Sequence, residues 1–450
     1  MAAPTKVPAE PLLVILGSTG TGKSELAVEL AKRFRGEIIN SDAMQMYTGL
    51  PIMTNKVSVS EQCGIPHHLL GHVSLREEPW DVGHFLREAT RVIGEIRGRG
   101  NLPIVVGGTN YYVDALLHSD VILTERYPNN EPLPVLEEPT EVLLEELKKV
   151  DPAMALHWHP NDRRKIMKSL EIYLRTGRRA SDIYAEQKER RAAGARESPW
   201  ENLLLWVHSE REVLKARLDA RVDKMLEAGL LAEVRQLLDF KRAEEAAGRT
   251  VDLTRGIWQS IGYKQLAPYL LAQEEGKDGA ELEQIKSTCL EDMKAGTRQY
   301  AKYQIGWIHK KKIPRLSEEG PEALDSLYVL DSTDVSRFQE TAVEPAARLT
   351  GQFLKGGPRV HPAELSDLAR ETLSDAKRER PERTLCDKSC DVCGITATTE
   401  EQWAVHLRSR MHKAKWKKKK RLALVPTEDT TKTSTSEGEA SEPEISSIFN

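Results

Sequence analysis

The chain is short of cysteine, of aromatic residues and of long apolar runs, and each shortage excludes a class of protein. Five cysteines in 450 residues cannot form a disulfide scaffold and point to a reducing compartment. No apolar run of about 18 residues occurs, so no membrane-spanning helix is expected. Met1 to Pro11 has neither the pattern of a secretory signal nor the Arg-rich amphipathic pattern of a transit peptide. Apolar residues make up 39% and charged residues 30%. That balance is low in apolar content for a wholly globular chain, so linker or tail is expected. The net charge of −4 conceals an asymmetry. Nine Lys or Arg and no acid lie between Ala404 and Leu422, followed by an acidic, Ser/Thr-rich end. A nucleic-acid partner is therefore not excluded.

What is present is an alternation of short apolar runs with helical patterns. LLVIL (12–16), EIIN (37–40), PIVV (103–106) and LLLWV (203–207) read as buried parallel strands, and Tyr328 to Leu330 as a late one. Helical periodicity fills Ser24–Phe34, Glu141–Val150, Asp162–Leu174, Glu210–Lys241, Ile257–Glu274 and Gly279–Lys310. The expectation is an α/β fold with a P-loop NTPase-like parallel sheet, a helical insertion domain and a small C-terminal zinc finger. The boundaries read as core over 1–114, insertion over 115–202 and core again over 203–344. A linker over 345–383, a finger over 384–416 and a disordered tail over 417–450, basic and then acidic, complete the chain.

Gly17, Ser18, Thr19, Gly20, Thr21, Gly22, Lys23 and Ser24 fit GxxxxGK[ST], with a strand before and a helix after. Glycines let the loop curl so that its N–H groups and the helix N-terminus face phosphate oxygens. Lys23 reaches the outer phosphate, and the Ser24 hydroxyl can hold Mg²⁺. The motif implies a diphosphate or triphosphate without specifying a nucleotide. Asp42 follows the second strand, at the carboxyl edge where parallel sheets bind ligands. It reads equally as a general base, a Mg²⁺ ligand or a cap of the next turn. Gly107-Gly108-Thr109 closes the third strand and offers a flexible backbone and a hydroxyl to the same crevice. A hydrolytic ATPase more often has an acid there.

These segments resemble the tRNA dimethylallyltransferase (tRNA isopentenyltransferase) family, in its eukaryotic type with a matrin-type zinc finger. The resemblance rests on GSTGTGKS (17–24), SDAMQMY (41–47), PHHLL (66–70), GGTNYY (107–112), HPNDRRK (159–165), SLEIYLRTG (169–177), RVDKMLEAGL (221–230), QSIGYK (259–264) and TRQYAKYQIGW (297–307), in that order. They span about residues 12 to 310. The resemblance implies that the loop holds the diphosphate of dimethylallyl diphosphate, and that the acceptor is N6 of adenosine 37 in the anticodon loop of tRNA. It implies Asp42 as general base, and Thr109 and Arg221 on the diphosphate with Lys23. It places tRNA against Asp42, Ala43, Met44 and Gln45, against Arg164, Lys165 and Lys168, against Gln259, Ser260, Ile261 and Gly262, and against the helix from Thr297 to Trp307. Lys168 stands where the family more often has Arg, and Tyr303 where AKRQ is usual. Lys294, Arg298 and Lys302 recur every four residues, a basic stripe on one helix face. Trp158, Tyr173 and Trp307 read as packing residues. Residence is expected in the cytoplasm, with mitochondrion and nucleus as further compartments, and the expected state is a monomer.

The chemistry needs two aids. Adenine N6 shares its lone pair with the ring, so a base must take its proton as it attacks the allylic carbon. Cations must neutralise the departing diphosphate. Asp42 would supply the first. Lys23, Thr109, Arg221, the loop N–H groups and Mg²⁺ would supply the second. Farther on, Cys390-x₂-Cys393-x₁₂-His406-x₅-His412 fits a structural Zn²⁺ site. Cys386 is a competing thiol, and Trp403 and Leu407 are expected to pack beside the metal. Two rival functions stand beside the transferase. One is a small-molecule P-loop kinase with an appended RNA-binding finger. The other is an RNA-binding protein whose phosphate loop is only structural. The GGTNYY, QSIGYK and RVDKMLEAGL blocks have no role in the kinase.

Overall fold

The computed structural model describes residues 7–118, 133–193, 198–377 and 384–423. The acidic end from Pro426 and the linker residues 378–383 lie outside them.

LLVIL lies in β1 (Pro11–Gly17), at the centre of a six-stranded sheet. The other strands are β2 (Gly36–Asn40), β3 (His67–His68), β4 (Leu102–Val106), β5 (Glu201–His208) and β6 (Leu327–Asp331). Their order is β3-β2-β4-β1-β5-β6, and every pairing is parallel. The continuous apolar run has a simple cause. Leu12, Val14 and Leu16 face one buried cluster, while Leu13 and Ile15 face another. A parallel sheet covered on both faces cannot show alternation.

The first of two compact units contains this sheet, over described residues 7–118 and 191–377. Its helices begin with α1 (Lys23–Phe34), α2 (Val82–Gly98) and α3 (Asn110–Leu117). The long pattern at 210–241 is two helices, α8 (Arg211–Glu227) and α9 (Leu230–Ala246). Gly229 breaks it at φ 104°, a conformation that costs glycine little. Next come α10 (Tyr263–Glu274) and the 29-residue α11 (Gly279–Trp307). A π-helical turn at Ile308–Lys312 leads into α12 (Ile313–Glu318) and α13 (Pro321–Leu324).

Three sequence expectations for this unit need correction. Ala115 to Leu117 end α3 and are buried in the core, so they are not insertion. Glu201 and Asn202 open β5, paired with Pro11 and Leu12. The expected linker is core too. In α14 (Glu344–Leu354), Ala346, Leu349 and Phe353 pack in the cluster of Leu13 and Ile15. In α15 (Asp367–Lys377), Ala369 and Leu373 join the other. Each helix buries one narrow apolar stripe, and its charged remainder concealed that stripe in the composition. PHHLL carries the edge strand β3. His68 bonds Glu37 at 2.7 Å, and Glu37 also accepts two bonds from Arg99 and one from Asn101. These donors, Arg99 foremost, hold the Glu37 carboxyl down at about 2.

The second unit comprises described residues 133–190 and 384–423. It contains α4 (Thr140–Val150), α5 (Pro152–His157), α6 (Arg163–Thr176) and most of α7 (Ala180–Ala192). Leu143, Leu147, Ile166 and Leu170 form its core. The finger belongs to the same unit. It has a hairpin, β7 (Leu385–Ser389) and β8 (Thr396–Thr399), then α16 (Glu400–Arg408) and α17 (Arg410–Ala423). The basic run to Arg421 is therefore helical, not tail. Lys, Arg, Ala and Leu are strong helix formers. Among the described residues, no helix is long and apolar enough to cross a membrane.

Candidate active site and zinc centre

The loop after β1 curls where the sequence places it. Gly22 has φ 87°, and a Cβ there would lie 2.9 Å from the Phe338 ring. Lys23 Nζ donates to the Ser18 carbonyl at 2.7 Å, and Thr21 Oγ1 donates to the same oxygen at 2.9 Å. From α8, Arg221 donates to Thr19 Oγ1 at 2.8 Å. One turn earlier, Arg217 donates to the carbonyls of Gly20, Ser332 and Thr333, pinning the loop to the end of β6. Ser24 is exposed in the first turn of α1.

Asp42 enters this crevice from β2. Asn40 shapes its turn, accepting from Asp42 N–H at 3.1 Å and donating to the Asp42 and Leu69 carbonyls. Asp42 Oδ1 accepts the Met44 N–H at 3.0 Å. The capping role weighed from sequence is thus real, and it occupies one oxygen. The other, Oδ2, faces Gly108, where a Cβ would lie 3.0 Å from it. Cap and base are compatible. Thr109 Oγ1 accepts the Ala43 N–H at 3.0 Å.

The electrostatics follow from burial. Desolvation raises the Asp42 carboxyl above its usual range, against the opposing pull of Met44 N–H and Lys23. Desolvation lowers Lys23 to about 8, with Asp42 pulling it back up and Arg221 pushing it further down. Arg221 is lowered to about 10 by desolvation, with Asp42 opposing. The three groups feel one another, so Asp42, Lys23 and Arg221 form one electrostatic cluster.

Four residues of this region went unrecognised in the sequence. Gln304 of α11 spans the crevice, accepting from Thr19 N–H at 2.7 Å and donating to the Gly108 carbonyl at 2.9 Å. Tyr300, one turn earlier, places its hydroxyl 3.4 Å from the same carbonyl. Burial, then Asp42, pushes that phenol well above its ordinary range. Lys56 donates to the Gly49 carbonyl and Thr54 Oγ1, each at 2.7 Å. Burial lowers it to about 8, and Glu233 and Asp42 oppose that fall. Arg217 is the fourth. Gln304 and Tyr300 lie inside the TRQYAKYQIGW block, whose basic residues drew attention first.

The residues expected against RNA divide. Lys294 pairs with Asp223 at 2.8 Å, and Arg298 pairs with Asp219 of α8. These two stripe positions are thus engaged in ion pairs inside the unit, while Lys302 is exposed. Gln45 donates to the Asn55 carbonyl at 3.2 Å, and Ala43, Met44 and Gln45 are half-buried at the crevice lip. Ser260 and Gly262 are buried, packed on Met53, so only Gln259 and Ile261 of that segment are partly exposed. On α6, Arg164 is exposed. Lys165 pairs with Asp162 at 3.0 Å, and Lys168 with Glu171 at 3.0 Å. Trp158 bonds Ser169, and Trp307 bonds Asp114 at 2.6 Å, both as packing residues.

Cys390, Cys393, His406 and His412 bring one donor atom each within 4.8 Å of one another. His412 Nδ1 lies 3.5 Å from Cys390 Sγ and 3.6 Å from Cys393 Sγ. A tetrahedron with Zn–S of about 2.3 Å and Zn–N of about 2.0 Å has S···N edges of about 3.5 Å. The buried His406 Nε2 has no hydrogen-bond partner. The donor set fits structural zinc. Cys386 stands apart, its thiol on the Ala397 carbonyl at 3.5 Å. Leu407, expected beside the metal, is 40% exposed. Its neighbour His406 takes the inward face, with the Trp403 ring 5.8 Å away. Chelation is expected to unfold the finger and leave diphosphate binding intact, because small zinc modules fold on their metal. Amide exchange with and without a chelator checks this. Unchanged protection in α16 would remove zinc from the fold.

A family model described as IPP transferase matches residues 45–311, and one described as a zinc-finger of C2H2 type matches 388–412. The chain is 38% identical over 434 residues to the tRNA dimethylallyltransferase of Schizosaccharomyces pombe, covering 92% of this chain and 96% of that one. It is 36% identical over 423 residues to that of Homo sapiens, covering 92% and 87%. A solved structure, titled as crystallographic snapshots of eukaryotic dimethylallyltransferase acting on tRNA, aligns with a TM-score of 0.77 at 35% identity. That match covers 92% of this chain and 98% of that one. With the phosphate loop, Asp42 and the zinc ligands set as described, the chain belongs to the IPP transferase family of tRNA dimethylallyltransferases.

Proposed function

We propose that the protein transfers a dimethylallyl group from dimethylallyl diphosphate to N6 of adenosine 37 in the anticodon loop of tRNA, releasing diphosphate. The observation that carries this is the half-buried cluster of one carboxylate and two cations at the carboxyl edge of the sheet. Asp42 Oδ2 faces the crevice and takes the N6 proton as nitrogen attacks the first allylic carbon. Lys23, Arg221 and the loop N–H groups neutralise the oxygen that leaves with the diphosphate. Thr109 holds Ala43 and so steadies the turn that carries Asp42. Mg²⁺, when bound, adds charge neutralisation on the diphosphate. Ser24, exposed in the first turn of α1, would hold it. The target base lies in a loop, where splaying costs only a few kcal/mol.

Exposed Arg164 and Lys302, together with the finger's basic helix, suit the RNA backbone. The protein works as a monomer in the cytoplasm, with mitochondrion and nucleus as further compartments, which sedimentation and fractionation test. Purified protein with unmodified tRNA and labelled dimethylallyl diphosphate should place label on tRNA. Labelled ATP in parallel should give no phosphoryl transfer. The reverse pattern would favour the kinase.

The pH profile follows from the same cluster. Asp42 must be ionised, so activity falls as pH drops through its raised pKa. Lys23 must be charged to receive the diphosphate, so kcat/KM for that substrate falls as pH rises through about 8. Bound diphosphate restores the Lys23 charge, so kcat should lack this basic limb. A basic limb of equal midpoint in kcat would assign it to another group.

A further inference from the structure

The glycine pair after β4 reads from sequence as flexibility offered to a ligand. The packing gives it another purpose. A Cβ on Gly108 would lie 2.3 Å from Gln304 Nε2, so the glycine there makes room for the Gln304 amide. Both ends of that amide are engaged. Its oxygen accepts from Thr19 N–H at 2.7 Å, and its nitrogen donates to the Gly108 carbonyl at 2.9 Å. The Asn110 amide donates to the Gln304 backbone carbonyl at 3.3 Å. The residue is 1% exposed. It thus stands between the leading edge of the phosphate loop and the β4 loop.

A phosphate chain on this loop has two ends. One sits at the N-terminus of α1, where the Gly22, Lys23 and Ser24 N–H groups converge. The chain then extends toward the leading edge, near Thr19. In a triphosphate-binding loop, leading-edge donors and the space before them serve the terminal phosphate. Here Gln304 takes the Thr19 donor and fills that space. Moving it aside would break both amide bonds at once, and the amide itself would have to find new partners.

We propose that Gln304 is a specificity-determining residue that limits the loop to two phosphates and excludes triphosphates. The proposal takes from the functional reading only that the loop is a phosphate cradle.

The test uses inorganic pyrophosphate and inorganic tripolyphosphate, each with Mg²⁺, titrated calorimetrically into the full-length protein. The unaltered protein should prefer pyrophosphate. Gln304→Ala should shift the affinity ratio toward tripolyphosphate by about tenfold or more, or roughly 1.4 kcal/mol. Gln304→Asn retracts the amide by one methylene and should shift the ratio less, in the same direction. It also serves if the alanine variant does not fold. A merely structural role would lower both affinities together. An unchanged ratio in the folded variants, or equal affinities in the unaltered protein, overturns the proposal. Transfer of the dimethylallyl group to tRNA is assayed separately on the unaltered protein. Its absence would sink the functional reading without touching the ratio.

Discussion

Asp42→Asn is expected to lower the single-turnover rate by about 10² to 10⁴, the usual cost of removing a general base. The structure sharpens why this substitution is the one to make. Asn keeps the size of the side chain, and its carbonyl oxygen can still accept the Met44 N–H that Asp42 Oδ1 now accepts at 3.0 Å. The turn from Ala43 to Gln45 therefore survives, and with it the crevice lip. Removing the charge also relieves the desolvation that raises the Asp42 pKa. The variant should accordingly be folded and no less stable, and tRNA affinity should change by less than about tenfold. Mg²⁺ dependence must be measured beside the rate. If extra Mg²⁺ restores the variant, Asp42 is a metal ligand and the base lies elsewhere. Full activity without rescue would remove Asp42 from the mechanism.

The legibility of this protein varied with the range of the forces involved. Strands and the phosphate loop are local. A short run such as LLVIL that ends in a glycine-rich loop reads as a strand buried on both faces, and GSTGTGKS between strand and helix carries its own context. The position of Asp42 at the carboxyl edge of the sheet was legible because a short strand ends just before it. The zinc ligands were legible because their spacing is a chemical requirement. What escaped were residues whose role is set by a partner far along the chain. Gln304 meets Thr19 across 285 positions, and Arg217 meets Gly20 across 197. Neither side chain is unusual on its helix. Two cations of the basic stripe are engaged for the same reason. Lys294 and Arg298 recur at helical spacing as an RNA face would, yet Asp223 and Asp219 stand on a helix about 75 residues earlier to receive them. Pairing of that kind leaves no local trace. The expected linker erred differently. Charge density hid the narrow stripe of Ala346, Leu349 and Phe353, which suffices to bury one face of a helix.

Lys23→Ala should have the second large effect, and its signature should differ from that of Asp42→Asn. The Lys23 side chain is half-buried beside the loop, and its ammonium donates to the Ser18 carbonyl at 2.7 Å. Removing an electrostatic donor from a site where charge develops costs about 10² to 10³ in rate. The loss should appear in kcat/KM for the diphosphate substrate and in kcat together, since the leaving group gains charge in the transition state. The tRNA affinity should hold within about tenfold, because the exposed cations Lys302 and Arg164 are untouched. A second consequence is more diagnostic. Lys23 is one of the groups that pull the Asp42 carboxyl down against its desolvation. Without that charge the Asp42 pKa rises further, so the acid limb of the pH profile should move to higher pH. Lys23→Arg should keep the acid limb where it is, because the charge remains, while still losing rate through the different shape of the guanidinium. An alanine variant that loses rate with an unmoved acid limb would separate Lys23 from Asp42. Equal losses of diphosphate and tRNA affinity would show that the loop and the RNA-facing surfaces do not divide the work as described.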